Sequence, residues 1–197
     1  MRTIKILIVL GLVTGLAACV PVVSVHPLFN EGEEVFEPAL VGTWKGQGDF
    51  KENVMSFRKS ADKTYELTFP NPKGRERLKY DAHLIKLEQH LFLDLTLNAL
   101  ELNSHKYDFQ EFLGFLPCHV FFKIEIEGKV LHLAYLDDEW MRKMTDRGED
   151  SVGHELLGEQ KDGIVLTAPT RDLQKLVLKY AQDEKAFADT GEWRRQK

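Results

Sequence analysis

Large apolar residues alternate with polar ones in several separate stretches of this chain. A period of two places every second side chain on one face of a β-strand, so each stretch predicts a strand with one buried face. The stretches lie at 55–57, 65–69, 80–84, 91–97, 120–126 and 131–135. Short turn-type sequences such as Glu127-Gly128 separate them. The pattern predicts an antiparallel meander, and a sheet with this many strands must curl, split or close.

The second half of the chain adds helical signals to this pattern. Asp137–Met144 predicts a short mid-chain helix, with acids in its first turn and bases later. Thr170 is a suitable N-cap for a C-terminal amphipathic helix. The apolar stripe of that helix consists of Leu173, Leu176, Val177 and Tyr180, and Phe187 is a further candidate. We predict a mostly β fold that closes into a barrel. The second helix should pack on its outside, with a hairpin at 152–168 and a short last strand at 192–195.

The first residues have the layout of an export signal. Arg2 and Lys5 form a basic start, residues 6–16 are an apolar run, and small residues then lead to Cys19. The run is shorter than the ~20 residues that span a bilayer as a helix. The alternatives are an uncleaved amino-terminal helix and an ordinary secretory signal, and both place the domain outside the cytoplasm.

The tetrapeptide Leu16-Ala17-Ala18-Cys19 resembles the processing site of bacterial lipoproteins. The resemblance implies cleavage before Cys19, a diacylglycerol group on its thiol, acyl chains such as palmitate, and a membrane anchor in the cell envelope. Two or three chains anchor firmly, because each buried CH₂ contributes ~0.8 kcal/mol. Val20 rather than Asp follows the cysteine, which by analogy with enteric bacteria favours the periplasmic face of the outer membrane. Residues 1–18 are then a signal peptide, 19–38 a tether and 39–197 the folded domain. Prolines and glutamates make the tether polar, and its Val25, Leu28 and Phe29 are candidates to dock onto the domain.

Charge and cysteine content exclude several classes of protein. The 197 residues carry a formal net charge of −5, which argues against nucleic acid partners and against electrostatic docking on anionic lipid. The chain has two cysteines. Lipid on Cys19 leaves Cys118 without an intramolecular disulfide partner. Cys118 lies in an apolar, strand-like run, so we interpret it as a small buried hydrophobic residue rather than a reactive thiol.

The motif Gly42-Thr43-Trp44 opens the predicted domain. Together with the order of elements after it, this motif resembles the first strand of the lipocalin group, some of whose bacterial members are lipoproteins. The resemblance implies a lipocalin-like barrel in which the tryptophan closes one end and a late arginine packs over it. Here the pair would be Trp44 with Arg194, or with Arg195. The helix near Trp140 and the hairpin after it depart from the family pattern.

No recognisable catalytic or metal motif is present. The histidines lack the short spacing of zinc sites, and His154-Glu155 lacks the second histidine of a metalloprotease helix. The chain also lacks a Gly-x-Ser-x-Gly motif, a phosphate-binding glycine loop and a dinucleotide fingerprint. Asp94 is predicted to lie on a solvated strand face. We therefore predict no catalytic residue, no metal and no cofactor, and a protein that is not an enzyme.

One long connection, 99–116, is rich in large apolar residues. Its phenylalanines Phe109, Phe112 and Phe115 recur every third residue and are candidates for a flap that covers a ligand or touches lipid or a protein partner. The alternative is ordinary core packing beneath a long loop. The leading hypothesis is a non-enzymatic binding module for an apolar small molecule or lipid. The second is a structural or assembly accessory that docks an envelope protein. A cavity of roughly several hundred Å³ would favour the first hypothesis, and a packed barrel centre the second.

Overall fold

The computed structural model describes residues 22–70, 77–98, 118–148, 152–158 and 163–196. Within these ranges the chain forms strands β1 to β11 and two α-helices. The strands are β1 Val23–Ser24, β2 Gly42–Gly46, β3 Val54–Lys59, β4 Thr64–Pro70, β5 Arg77–Leu87, β6 His90–Leu97, β7 His119–Glu127, β8 Val130–Leu136, β9 His154–Leu157, β10 Gly163–Leu166 and β11 Phe187–Arg195. The helices are α1 Asp138–Asp146 and α2 Thr170–Lys179. Both predicted helices and all the alternating strands are confirmed.

Eight antiparallel strands close into a barrel, which confirms the predicted fold class and is consistent with a lipocalin-like architecture. Strands β2 to β8 pair with their neighbours in chain order, β6 also pairs with β7, and β11 closes the ring between β8 and β2. The last strand is longer than the predicted 192–195. Helix α1, the β9–β10 hairpin and helix α2 all lie in the chain between the seventh and eighth barrel strands.

The barrel interior is filled by one set of alternating side chains. Inward positions of neighbouring strands bring large apolar groups together, with Trp44 and Trp193 among the largest that are fully buried. The buried members of this inner core are Leu40, Trp44, Met55, Phe57, Tyr65, Leu67, Ala82, Leu84, Leu93, Leu95, Ile124, Leu131, Leu133 and Trp193.

A second apolar core lies on the outside of the barrel wall. Phe92 and Phe121 are buried on outward positions of β6 and β7, next to the inward Leu93. They pack with apolar residues of both helices and of β10, and Leu173, Leu176 and Val177 of α2 supply part of this layer. The prediction that α2 packs on the outside of the sheet is confirmed. Its N-cap position is held by Pro169, whereas the Thr170 hydroxyl donates to Pro27 O at 2.8 Å.

The predicted tether is wrong for most of its length, because residues 22–37 bind along the outer wall of the barrel. We call this segment the strap. Within it β1 pairs in parallel with β10, and the Leu28 side chain is fully buried. The side chains of α2 also fix it, since the amide of Gln174 donates to Leu28 O at 3.0 Å. Prolines and glutamates suggested a solvated segment, but Val22 and Leu28 are buried in the outer core and Phe29 packs against it. Val35 and Phe36, near the end of the strap, pack against the inner core.

Candidate functional site

Within the described residues, a small cavity lies at the barrel centre. Its volume is about 60 Å³, and its lining in the described part of the chain consists of Phe50, Met55, Phe57, Leu67, Leu93, Leu95, Phe122, Leu133 and Trp193. Pockets that enclose drug-sized ligands have volumes of about 300–1,000 Å³. A lipid or similar lipophile therefore does not fit this interior unless the surrounding side chains move.

Two larger depressions lie on the outer surface and are open to solvent. One, of about 580 Å³, borders helix α2 between Val152 and Lys179. The other, of about 570 Å³, is lined largely by charged and polar side chains that include Lys123, Glu125 and His132. Shallow, open depressions of this kind do not surround a small apolar molecule, so they are better suited to contacts with a larger partner.

Trp44 lies in the inner core, close to the start of β2. Its ring is fully buried, and its indole N–H donates to Leu40 O at 2.9 Å. Leu40 ends a short 3₁₀ turn, Pro38–Leu40, that connects the strap to β2. Tyr65 is next to this connection, because its hydroxyl accepts a hydrogen bond from Glu37 N at 2.6 Å. Burial raises the pKa of Tyr65 above its ordinary value, so this hydroxyl stays protonated at neutral pH.

Arg195, and not Arg194, covers Trp44. The guanidinium carbon of Arg195 lies 4.4 Å from the centre of the Trp44 ring, and Nη1 donates to Val41 O at 2.6 Å. Nη2 donates to Ala39 O. The choice of Arg194 is wrong because side chains alternate along β11: Arg195 is the direct cross-strand neighbour of Trp44, whereas Arg194 points outward and pairs with Glu192.

The arrangement of Arg195 over Trp44 explains why glycine stands at position 42 of the Gly-x-Trp motif. Gly42 has φ +143°, a region that glycine adopts readily and other residues rarely do. A Cβ at this position would lie 2.5 Å from Nη1 of Arg195. The motif thus leaves space for the guanidinium that the final strand brings over the tryptophan.

We expect Arg195→Ala to lower the free energy of unfolding by about 2 kcal/mol, through loss of the cation–π contact and two hydrogen bonds. For a domain of this size the thermal midpoint should then fall by about 4–8 °C. Arg194→Ala is a matched control on the same strand and should change stability by less than about 0.5 kcal/mol. Equal shifts for the two variants in thermal unfolding would show that Arg195 has no special role at this end.

Asp94 is buried beneath the strap, so its predicted place on a solvated face is wrong. Its side chain is fully buried, and its two oxygens accept hydrogen bonds from different elements. Oδ2 accepts from Leu28 N at 2.7 Å, and Oδ1 accepts from His119 Nδ1, also at 2.7 Å. Thr96 Oγ1 lies 3.0 Å from the same histidine nitrogen. The carboxyl group therefore joins the strap to strands β6 and β7.

The sequence offered no local signal for this pair. Asp94 and His119 lie on neighbouring strands, and only the register of β6 with β7, in which Thr96 opposes His119, brings them together. A similar contact occurs nearby, where His83 Nδ1 lies 3.4 Å from Glu34 Oε1 of the strap and its ring stacks on Phe29. His83 thus contacts the strap directly through its ring, whereas His119 contacts Asp94, which binds the strap. In the described ranges no group of three or more His, Cys, Asp or Glu residues could bind a metal.

Several predicted site residues lie outside the described residues. They are Cys19 of the lipid attachment site and Phe109, Phe112 and Phe115 of the proposed flap. Cys118, at the start of β7, is half-buried, and burial raises the pKa of its thiol, which disfavours the reactive thiolate. None of the helices in the described part of the chain is long and apolar enough to cross a bilayer.

Comparison with known proteins gives no match: no family model, no curated protein and no solved structure is similar to this chain. Its function is therefore inferred from its own residues and geometry.

Proposed function

We propose that this protein is a lipoprotein of the bacterial cell envelope, held by acyl chains on Cys19 at the periplasmic face of the outer membrane. Its barrel acts without catalysis, as a structural or assembly accessory that docks a protein partner. The lipoprotein-type processing sequence supports the anchor, and Val20 after the cysteine supports the choice of membrane.

The filled barrel is the observation that favours docking over ligand carriage. A cavity of about 60 Å³ is several times too small for a lipid or a drug-sized molecule. Rigid, fully packed cores instead present a fixed outer surface. The strap, α1, α2 and the β9–β10 hairpin add further material to the outside of the barrel, and the two open depressions lie on this outer surface.

The connection that carries Phe109, Phe112 and Phe115 is the candidate contact with the partner. Strand β6 ends at Leu97 and β7 begins at His119, and these strands are paired neighbours. The connection therefore leaves and rejoins the barrel at the same end. A row of phenylalanines there would supply the apolar, aromatic anchors that are typical of protein interfaces.

A second candidate function is the binding of an apolar small molecule. The lining of the central cavity favours it, because all nine of the lining residues named above are apolar or aromatic. This candidate requires the interior to expand when the ligand enters.

Native mass spectrometry of the purified, acylated protein distinguishes the two candidates. We expect the mass of the processed chain with its acyl groups and no further lipophile, even after incubation with a mixture of envelope lipids. A bound lipophile at one-to-one stoichiometry would instead support the ligand-binding function and would contradict a permanently filled barrel.

Crosslinking in cells tests the docking surface directly. Phe112→Asp should abolish a specific crosslinked species while leaving the amount and the thermal stability of the protein unchanged, because a charge at the contact opposes its desolvation. Phe112→Leu is the matched control and should retain the species. If Phe112→Asp crosslinks as the natural protein does, the flap is not the docking surface.

A further inference from the structure

One exposed leucine lies beside the point at which the chain enters the fold. Leu157, at the end of β9, is 54% exposed and is the large apolar side chain that the described residues leave in solvent. Single exposed leucines are common and carry no meaning by themselves. Leu157 is of interest because it lies near the start of the strap.

The strand register fixes that position. Strand β1 runs parallel to β10, with Val23 opposite Val165, and β10 is antiparallel to β9, with Gly163 opposite Leu157. Toward its amino-terminal end, β1 therefore points to the same end of the sheet as Gly163 and Leu157. Leu157 lies on the second strand from β1, a distance of about 10 Å at the usual strand spacing.

The distance to the lipid is equally short. Val22 is only 5% exposed and belongs to the outer core, so the chain is fixed to the barrel from this residue onward. Cys19 precedes Val22 by three residues, which span at most about 11 Å when fully extended. An acyl anchor on Cys19 would therefore tie Val22, and the described surface around it, to the neighbourhood of the membrane.

We infer that Leu157, at the end of β9, contacts the bilayer and holds the barrel in one orientation on the membrane. This inference rests on the acylation of Cys19 proposed above. The contact is apolar rather than electrostatic, because a chain with a net charge of −5 is not attracted to anionic lipid. The occupant is therefore a lipid surface that needs no anionic headgroup, and added salt should not weaken the contact.

A fluorescent label at position 157 tests this contact. The acylated protein with Leu157→Cys in a Cys118→Ala background is labelled with an environment-sensitive dye and placed in vesicles of phosphatidylethanolamine and phosphatidylglycerol. We expect a blue-shifted emission and quenching by a nitroxide attached to the lipid headgroup, both unchanged between low and high salt. Ser60→Cys is the matched control, because Ser60 is exposed and follows β3. Strand β3 lies opposite β7, the barrel strand that pairs with β1, in the eight-strand ring. A label at position 60 should therefore show neither effect.

The outcomes separate this inference from the proposed function. If the acylated protein binds vesicles but the labels at 157 and 60 show the same emission and quenching, the inferred membrane contact is wrong. The proposed anchor is unaffected by that result. If mass spectrometry finds no acyl groups on Cys19, the anchor fails and the inference fails with it. The same label on Cys19→Ser protein should remain in water, because a single leucine does not hold a protein on a bilayer without the acyl chains.

Discussion

A Cys19→Ser variant is expected to leave the membrane fraction completely. The hydroxyl replaces the thiol with little change in size but cannot receive the thioether-linked diacylglycerol. Two or three acyl chains contribute ~0.8 kcal/mol for each buried CH₂, and their loss removes essentially all of the binding energy. The exposed leucine at position 157 offers too little apolar surface to replace them.

Fractionation of cells, followed by an alkaline wash of the membranes, measures this effect. Cys118→Ser is the matched control, since it removes the other thiol and should stay membrane-bound. The amino-terminal mass of each variant must be recorded, because a precursor that keeps residues 1–18 could remain attached through its apolar run. Processed Cys19→Ser protein that still partitions with lipid would contradict the lipoprotein assignment.

The second large effect is expected at the buried carboxyl group that joins the strap to the barrel. Asp94→Ala leaves the buried N–H of Leu28 without its acceptor, and it removes the contact with His119, whose Nδ1 keeps Thr96 Oγ1 at 3.0 Å. Each buried donor left unsatisfied costs about 1–3 kcal/mol, so the free energy of unfolding should fall by about 3 kcal/mol. For a domain of this size that corresponds to a drop in thermal midpoint of about 6–12 °C.

Urea and thermal unfolding of the soluble Cys19→Ser protein provide the measurement. Glu125→Ala is the matched control: Glu125 lies on β7 and is exposed, and its loss should cost less than about 0.5 kcal/mol. Asp94→Asn should fall between the two, because an amide retains one acceptor oxygen. The strap should also become accessible to proteases in Asp94→Ala before the barrel unfolds. Equal stability of the Asp94 and Glu125 variants would show that the Asp94 carboxyl group does not stabilise the strap.

The barrel was predictable because alternation of apolar and polar residues shows which face of a strand is buried. The prediction for Asp94 failed because alternation does not show whether another segment covers the opposite face. The sequence does contain a sign of this covering, since Phe92 and Leu93 are consecutive and both are buried, one in each core. Two adjacent large apolar residues in a strand require burial on both faces. Applied to β6, that rule would have placed Asp94 near a covered surface.

Other features depend on three-dimensional detail that sequence patterns do not contain. The choice between Arg194 and Arg195 required the register of β11 against β2, and one residue of shift exchanges the two faces. The cavity volume depends on how the side chains of eight strands interdigitate, which neither composition nor period determines. The strap was missed because its prolines and glutamates suggested solvation, although Leu28 and Phe29 were correctly identified as residues that can dock.

The position of β11 has a consequence for how an exported chain reaches its native state. This strand fills the gap between β2 and β8, so the first and last barrel strands become neighbours only after residues 187–195 have emerged. Until then β2 and β8 each present an unpaired edge, which favours association with other chains. If the chain is exported from its amino terminus, as proposed above, these two edges would stay open until translocation is nearly complete. Premature termination before Phe187 should yield material that aggregates or is degraded rather than a smaller working domain.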